Sequence, residues 1–375
     1  MCAMTPPTPL VVLATVDPVV RDTTVFGLVT DHPRLVVLRH DILDDEDGGR
    51  IRRVIVSGDG VLEDTEVPLE HACLSCAVRE DAVPQLERLA RDPRWDAVVL
   101  ALPVGAESLP VSRALARSGR RAGSAGLPGA RGLRLADVVA AVDLDTFADD
   151  LLGDDLLAER GLALTHDDRR AVGEALAAQI GHVDTLLVGG DRAAHPVASD
   201  LLDHLRAPDS RRVDGRHGVD PRALLRGLHD PARADRRADP LRAAPHPGAP
   251  TAHGVWTLDL RSARPLHPER LVAHVERLGN VPARSRGRFW VPTRPDSVCV
   301  WDGAGGQLSV GQLGTWGRRE PDTRLVFTGV GDWAGDLVDA FGDVLTTESE
   351  HRAGLAPWLG RQDVLEPWLG DRSPA

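Results

Sequence analysis

Short runs of consecutive apolar residues alternate with amphipathic segments through the first 230 residues of this 375-residue chain. Strands that are apolar at every position are buried on both faces, as in parallel sheets with helices above and below. The pattern therefore predicts an α/β domain with a doubly wound parallel sheet, whose ligands bind beyond the carboxyl ends of the strands. The predicted strands lie at residues 10–14, 35–38, 97–102, 136–142 and 185–188.

The tryptophans indicate a second domain, because seven of the eight follow residue 250 and only Trp95 precedes it. Residues 256–260 alternate between apolar and polar, as in a half-buried strand, and a helix with a first-turn proline is predicted from Pro268. Residues 231–254 are rich in Pro, Ala, Arg and Asp and have no apolar period. The predicted parts are a first domain at 1–230, a linker at 231–254 and a smaller α+β domain at 255–375.

Composition excludes several classes of function. All 44 basic residues are arginines, so Schiff-base chemistry on lysine and the lysine of an ordinary phosphate-binding loop are both excluded. The net charge of −12 argues against a nucleic-acid partner. The sequence has no apolar run near the roughly 20 residues of a membrane-spanning helix. We therefore expect a cytoplasmic protein that binds neither nucleic acid nor membrane.

Cys73 and Cys76 form the candidate chemical site, because two thiolates separated by two residues close readily on one Zn²⁺ ion. The same spacing is compatible with a redox pair, and also with two small buried residues. His71 lies close to the pair in sequence. The remaining cysteines, Cys2 and Cys299, are far away in sequence, so the four do not form a disulfide framework.

Several phrases of the sequence resemble the CobW family of metal-trafficking GTPases. Residues 72–79 are similar to the family's cysteine motif, in which a further cysteine stands where this chain has Ser75. The other similar phrases are residues 136–143, 264–271, 284–290 and 314–316. The resemblance covers nearly the whole chain and implies a fold of the P-loop GTPase type followed by the CobW C-terminal domain. It also implies a bound metal ion and a client metalloprotein that docks on the C-terminal domain.

The resemblance implies a metal site formed by Cys73, Cys76 and His40. Two thiolates leave a zinc site short of its usual four ligands. His40 and its neighbours Arg39 and Asp41 fall where the family carries a metal-binding strand end. Imidazole is a good zinc ligand, so we expect zinc as the cofactor and His40 as the third ligand.

The stretch that matches the family's phosphate loop departs from it at the functional positions. Val16 and Arg21 stand where glycines let backbone N–H groups approach phosphates, and Asp22 stands where a lysine is required. Arg21, Thr23 and Thr24 remain as candidate nucleotide contacts, with the threonines on the Mg²⁺ side. A carboxylate close to a polyanion is repulsive, so we expect GTP and Mg²⁺ to bind poorly.

The guanine-reading motif is reduced to Asp191, since Val188 replaces the family's asparagine and has no hydrogen-bonding side chain. The strand at 97–102 lacks the acid that the family often places at its end. These losses favour a degenerate member that binds metal without hydrolysing GTP. One alternative is an active GTPase in which Arg21 or Arg39 supplies the missing positive charge. Another is an interaction module whose two cysteines are core residues.

Overall fold

The computed structural model describes residues 6–45, 48–118, 132–215, 219–242 and 250–370. These residues form two compact units. The first unit consists of the chain up to Phe147, Asp155–His195 and Arg206–Arg237. The second consists of Ala148–Asp154, Pro196–Leu205 and the chain from Ala238 onward.

The first unit is built on an eight-stranded sheet within the described part of the chain. Its strands are β1 (Thr8–Ala14), β2 (Leu35–Asp45), β3 (Gly48–Ser57), β4 (Gly60–Pro68), β5 (Ala97–Ala101), β6 (Leu133–Asp143), β7 (Thr185–Gly189) and β8 (Arg211–Asp214). In space they follow the order β4-β3-β2-β5-β1-β6-β7-β8. The six strands β2, β5, β1, β6, β7 and β8 are neighbours in that order, and each neighbouring pair is parallel, as the apolar runs predict. The predicted α/β fold class is confirmed.

Helices cover both faces of this sheet. Leu10 of β1 shares a core with the helix Val83–Arg91, whereas its neighbour Val11 shares a different core with the helix Pro18–Asp31. Because successive side chains of a strand point to opposite faces, the buried residues 10–14 of β1 must all be apolar to fill both cores. The helices of this part are Pro18–Asp31, Leu74–Cys76, the π-helical Ala77–Ala82, Val83–Arg91, Ser108–Ser118, Leu144–Leu152, Val172–Ile180, Pro221–Leu225 and Pro231–Ala238.

An antiparallel hairpin, formed by β3 and β4, extends the parallel sheet at one edge. Apolar patterning does not predict this hairpin, because every residue of β4 is exposed or half-buried. Its carboxylates pair with arginines of β3, as Asp64 does with Arg52 at 2.6 Å. Strand β4 is thus a charged, largely exposed edge of the sheet, whereas β3 still buries Ile51 and Ile55.

The second unit contains a five-stranded antiparallel sheet with the order β12-β11-β10-β13-β9. Its strands are β9 (Val255–Ser262), β10 (Ala283–Phe289), β11 (Ser297–Ala304), β12 (Gln307–Thr315) and β13 (Thr323–Val330). One face carries Phe289, Trp301 and Phe327, which form a core with the helix Ala334–Val344. The α+β class predicted for this region is confirmed. The other helices of the unit are Pro196–Leu205, Pro268–His274, Glu276–Gly279, Glu348–Arg352, Ala356–Trp358 and Glu366–Leu369.

The stretch predicted as a linker begins with a helix, Pro231–Ala238. The Arg237 guanidinium of this helix donates to the carbonyls of His182 and Val183 and pairs with Asp209 at 2.9 Å. Residues 243–249 of the stretch lie outside the described residues. The predicted linker at 231–254, and the domain boundaries on either side of it, stay a prediction. Among the described helices, none has both the length and the apolar character needed to cross a membrane.

Limited trypsin digestion is expected to cut after Arg242 before it cuts after Arg237. The Arg237 side chain is 7% exposed and held by several partners, whereas that of Arg242 is 52% exposed beyond the end of the helix. Cleavage requires local opening, which is easier where fewer contacts must break. Mass spectrometry of early fragments checks the order, and a first cut after Arg237 would contradict it.

A buried carboxylate lies on β6. The Asp137 side chain is 4% exposed and accepts hydrogen bonds from Thr185 Oγ1 at 2.9 Å and from Arg211 Nη2 at 3.2 Å. Its Oδ1 atom has no hydrogen-bond partner among the described residues. Burial, with a smaller contribution from the nearby Asp184, raises the pKa of Asp137 to about 7. The folded state therefore holds this proton at pH values where the unfolded chain has released it.

The Asp137→Asn variant is expected to show a flatter dependence of stability on pH. The pKa of Asp137 is higher in the folded state than in the unfolded chain. Its contribution to the free energy of unfolding is therefore complete below pH 4 and is lost as the pH rises to about 7. Between pH 5 and pH 8 the free energy of unfolding of the wild type should fall by roughly 2–3 kcal/mol more than that of the variant. Urea unfolding at both pH values measures this, with Asp145→Asn at a 58% exposed position as the control. Equal pH dependence in Asp137→Asn and wild type would contradict the assignment.

Candidate functional site

The cysteine motif forms the start of a helical segment after β4. Cys73 caps the helical turn Leu74–Cys76, and its Sγ atom accepts the backbone N–H of Cys76 at 3.3 Å. Cys76 is 4% exposed, whereas Cys73 is half-buried. The π-helical turn Ala77–Ala82 follows directly. Single π-helical turns of this kind often occur at functional sites.

His71 lies beside the cysteine pair. A tight turn in which the Cys73 N–H donates to the His71 carbonyl at 2.8 Å brings the imidazole back over the motif. The His71 Nδ1 atom is 3.8 Å from Cys76 Sγ. A tetrahedral zinc ion with bonds of about 2.3 Å to sulfur and about 2.0–2.1 Å to nitrogen holds these two atoms about 3.5 Å apart. The observed separation is close to that of two ligands of one ion.

Charged residues surround the Cys76 thiol. The Glu80 carboxylate accepts the Glu70 N–H at 3.0 Å and an Arg79 N–H at 2.6 Å, and these contacts lower the pKa of Glu80. Arg79 Nη2 also lies 3.5 Å from Cys76 Sγ. Burial, with smaller contributions from Cys73 and Glu80, raises the pKa of the Cys76 thiol to about 11. The free protein therefore holds Cys76 as a thiol, which a metal ion must deprotonate to bind.

His40, the predicted third ligand, is engaged elsewhere. Its Nε2 atom is 2.8 Å from Asp81 Oδ2, and the two residues are 2% and 3% exposed. Asp81 also accepts a hydrogen bond from Arg53 of β3. Since Asp81 belongs to the π-helical turn after the cysteines, this buried ion cluster anchors that turn to the sheet. His40 as a metal ligand stays a prediction, and its observed contacts are those of a positioning residue.

The ligands are not assembled into a finished metal site. Over the residues that the structure describes, no group of three or more His, Cys, Asp and Glu side chains is arranged to hold a metal ion. The donor types are nevertheless those that zinc prefers, two thiols and an imidazole. Cys73, Cys76 and His71 are the residues of this segment that would hold such an ion.

The position of the phosphate loop is occupied by a carboxylate of the chain. Asp17 caps the helix Pro18–Asp31, and its Oδ1 atom accepts the N–H groups of Val19 at 2.7 Å and Val20 at 3.1 Å. In phosphate-binding proteins of this fold class, the phosphate accepts hydrogen bonds from the free N–H groups at the start of a helix. An aspartate followed by a proline, as in Asp17-Pro18, is a common sequence signal for a capped helix start.

The predicted nucleotide contacts of this loop also have internal partners. Arg21 is 3% exposed, and its Nη1 atom is 2.6 Å from Asp41 Oδ1. Arg39 bridges Asp41 at 2.9 Å and Asp22 at 3.1 Å. Two arginines and two aspartates thus form a network in which each positive charge already faces a carboxylate.

The two threonines predicted for the Mg²⁺ side belong to the helix itself. Thr23 Oγ1 donates to the Val19 carbonyl at 2.7 Å, and Thr24 is 6% exposed. Two residues that precede the helix are also buried, since Thr15 is 2% exposed and Val16 is 7% exposed. The structure brings Arg21, Thr23 and Thr24 into one region but turns them towards the protein.

Asp191, the predicted guanine contact, shapes a turn. Its Oδ1 atom accepts the Ala193 N–H at 2.8 Å. The preceding Gly190 has a φ of +82°, and a Cβ atom there would lie 2.7 Å from the Asp145 carboxylate. Glycine is therefore favoured at this position, because other L residues are strained at such a φ. The role of Asp191 in base recognition stays a prediction.

The chain is similar to several known proteins. The model of the cobalamin synthesis protein CobW C-terminal domain matches residues 255–345. The zinc chaperone Rv0106 of Mycobacterium tuberculosis is 32% identical over 317 residues, which covers 82% of this chain and 74% of that protein. The zinc-regulated GTPase metalloprotein activator 1 of Dictyostelium discoideum is 23% identical over 269 residues, or 67% of this chain and 54% of that protein.

A solved structure, the Zn(II)-bound YjiA GTPase from E. coli, matches 91% of this chain and 99% of its own with 14% identity and a TM-score of 0.35. At that score the likeness supports no further inference. The similarity to Rv0106 runs through both units, and the matched C-terminal model spans β9 to the end of the helix Ala334–Val344. The resemblance seen in the cysteine motif and the C-terminal phrases is confirmed, and the chain belongs to the CobW family.

Proposed function

We propose that this protein binds and traffics zinc, and that it does so without GTP. The observation that carries the proposal is the His71 imidazole 3.8 Å from the Cys76 sulfur, with Cys73 on the same turn. Relatives named as a zinc chaperone and as a zinc-regulated GTPase metalloprotein activator support zinc as the metal. The protein would act in the cytoplasm, where free thiols persist.

The proposed zinc ligands are Cys73, Cys76 and His71. Two thiolates and one imidazole leave a fourth position for Glu80, for water or for a donor from a client protein. A site that is incomplete in the free protein is suited to transfer, because an incoming ligand takes an open position instead of displacing a strong one. His40 is the alternative third ligand, but it would have to break its buried hydrogen bond to the Asp81 carboxylate, which would then keep Arg53 as its partner.

Loss of GTP binding is supported by the Asp17 carboxylate on the helix N–H groups. A triphosphate would have to displace this carboxylate and approach Asp22 without any lysine to balance the charge. The competing function is an active GTPase that uses Arg21 or Arg39 as the phosphate-binding cation. It is less well supported, because both guanidinium groups are already paired with Asp41.

The second unit is the proposed docking surface for a client metalloprotein. Trp333 is 44% exposed and Val338 is 47% exposed, next to and on the helix Ala334–Val344. Exposed large apolar side chains are common in protein interfaces. The opposite side of this helix packs on the sheet, so the helix is held rigid while these residues face outward.

Replacing His71 by Ala should weaken zinc binding by at least about 10–100-fold, because an imidazole ligand is lost from a sparse site. His40→Gln should leave zinc affinity within a few-fold while lowering the free energy of unfolding by about 1–3 kcal/mol, because Asp81 loses a buried partner. Competition against a chromophoric zinc chelator measures affinity in tag-free protein, and urea unfolding measures stability.

His166→Ala is the matched control for these variants, since the His166 side chain is 80% exposed. The Cys73→Ser, Cys76→Ser double variant should lose zinc binding altogether. Unchanged zinc affinity in that double variant would refute the metal site. Loss of binding in His40→Gln with retention in His71→Ala would restore His40 as the third ligand.

Calorimetric titration of the wild type with Mg²⁺-GTP should give no saturable binding. Asp17→Ala should bind phosphate-containing ligands more tightly than the wild type, because two helix N–H groups become available and one negative charge is removed. Asp31→Ala, at the other end of the same helix, is the control and should behave as the wild type. Tight GTP binding by the wild type that Asp17→Ala leaves unchanged would overturn the proposal.

A further inference from the structure

We propose that Cys73 and Cys76 form a reversible intramolecular disulfide, so that the oxidation state of the pair decides whether the zinc site exists. The disulfide itself is inferred from the geometry of the pair. Its regulatory consequence rests on the zinc function proposed above. The inference assigns a second chemistry to the two sulfur atoms, with low-molecular-weight disulfides such as oxidised glutathione as the class of reactant.

The two thiols lie within reach of each other. Both cysteines are free, and they lie at the start and the end of one helical turn, in which Cys73 is the N-cap residue. The backbone N–H of Cys76 already points at Cys73 Sγ from 3.3 Å. Two intervening residues in a helical turn are the spacing at which a thiol pair closes to a disulfide and reopens with little strain.

The exposure of the two sulfurs sets the order of reaction. Cys73 is half-buried and reachable from solvent, whereas Cys76 is 4% exposed. An external disulfide is therefore attacked by Cys73, and the buried Cys76 resolves the mixed disulfide. Mixed disulfides that have a second thiol within reach are short-lived, so closure competes well with escape.

Thiol–disulfide exchange between the two cysteines and oxidised glutathione needs no other reactant. The Cys73 thiolate attacks one sulfur of oxidised glutathione and releases the first glutathione thiolate, which takes up the proton that Cys73 lost. Cys76 then attacks Cys73 Sγ and releases the second glutathione thiolate, which takes up the proton that Cys76 lost. Two protein thiols are oxidised to one disulfide, and one glutathione disulfide is reduced to two thiols.

Zinc and the disulfide exclude each other, because both use the same two sulfur atoms. A sulfur in a disulfide carries no negative charge and is a poor zinc ligand. Oxidation would leave His71 and Glu80, which lie next to Cys76, as the nearby donors. Bound zinc would in turn shield Cys73 from external disulfides. The pair would thus release zinc on oxidation and recover it on reduction.

The test uses the full chain in a Cys2→Ser background, because Cys2 lies outside the described residues and Cys299 is fully buried. The reduced, metal-free protein is treated with oxidised glutathione under native conditions and analysed by intact mass and thiol counting. We expect loss of two hydrogen atoms and two thiols, with no lasting glutathione adduct. Zinc added beforehand should slow the reaction, and dithiothreitol should restore both thiols and zinc binding.

The single variants identify the two roles. Cys76→Ser should accumulate a stable glutathione adduct on Cys73, whereas Cys73→Ser should react much more slowly because its remaining thiol is buried. A stable adduct on the wild type as well, or an oxidised protein that binds zinc like the reduced one, would overturn the inference. Disulfide closure in a protein whose reduced form binds no zinc would support the disulfide and refute the proposed metal function, so the two failures are distinguishable.

Discussion

The carboxylate of Asp17 caps the first helix of the first unit. It accepts two N–H groups at the start of the helix Pro18–Asp31, the place where proteins of this fold class bind phosphate. The positive charges nearby are likewise satisfied internally, because Arg21 and Arg39 both pair with Asp41. The helix start and the arginines near it are thus satisfied by carboxylates of the chain, which supports the proposed loss of GTP binding.

The metal motif depends on a second internal ion cluster. Asp81 lies five residues after Cys76 and is held by His40 of β2 and Arg53 of β3. A buried carboxylate is costly unless it is paired, so this cluster fixes where the helical turn after the cysteines meets the sheet. His40 thus contacts the carboxylate of this turn, whereas the His71 Nδ1 atom lies 3.8 Å from the Cys76 sulfur.

Patterning predicted the architecture well and the fine contacts poorly. Continuous apolar strands such as β1 identify a helix-covered sheet because both of their faces must be buried. The charged strand β4 buries nothing, so no apolar pattern marks it. His40 was expected to bind metal because a strand end and an imidazole fit that role, but its partner Asp81 is 41 residues away in sequence. Spacing reveals ligands within one turn, such as Cys73 and Cys76, and misses pairs that only the fold brings together.

The central claim is that zinc binding in this protein is independent of nucleotide. The most direct test is the zinc affinity of the reduced wild type, measured with and without saturating Mg²⁺-GTP. If Asp17 and the arginine–aspartate network fill the phosphate site, GTP has no differential affinity for the zinc-bound form, and the two affinities are equal. A change of tenfold or more in zinc affinity on addition of Mg²⁺-GTP would show that the nucleotide site still functions and would contradict the account.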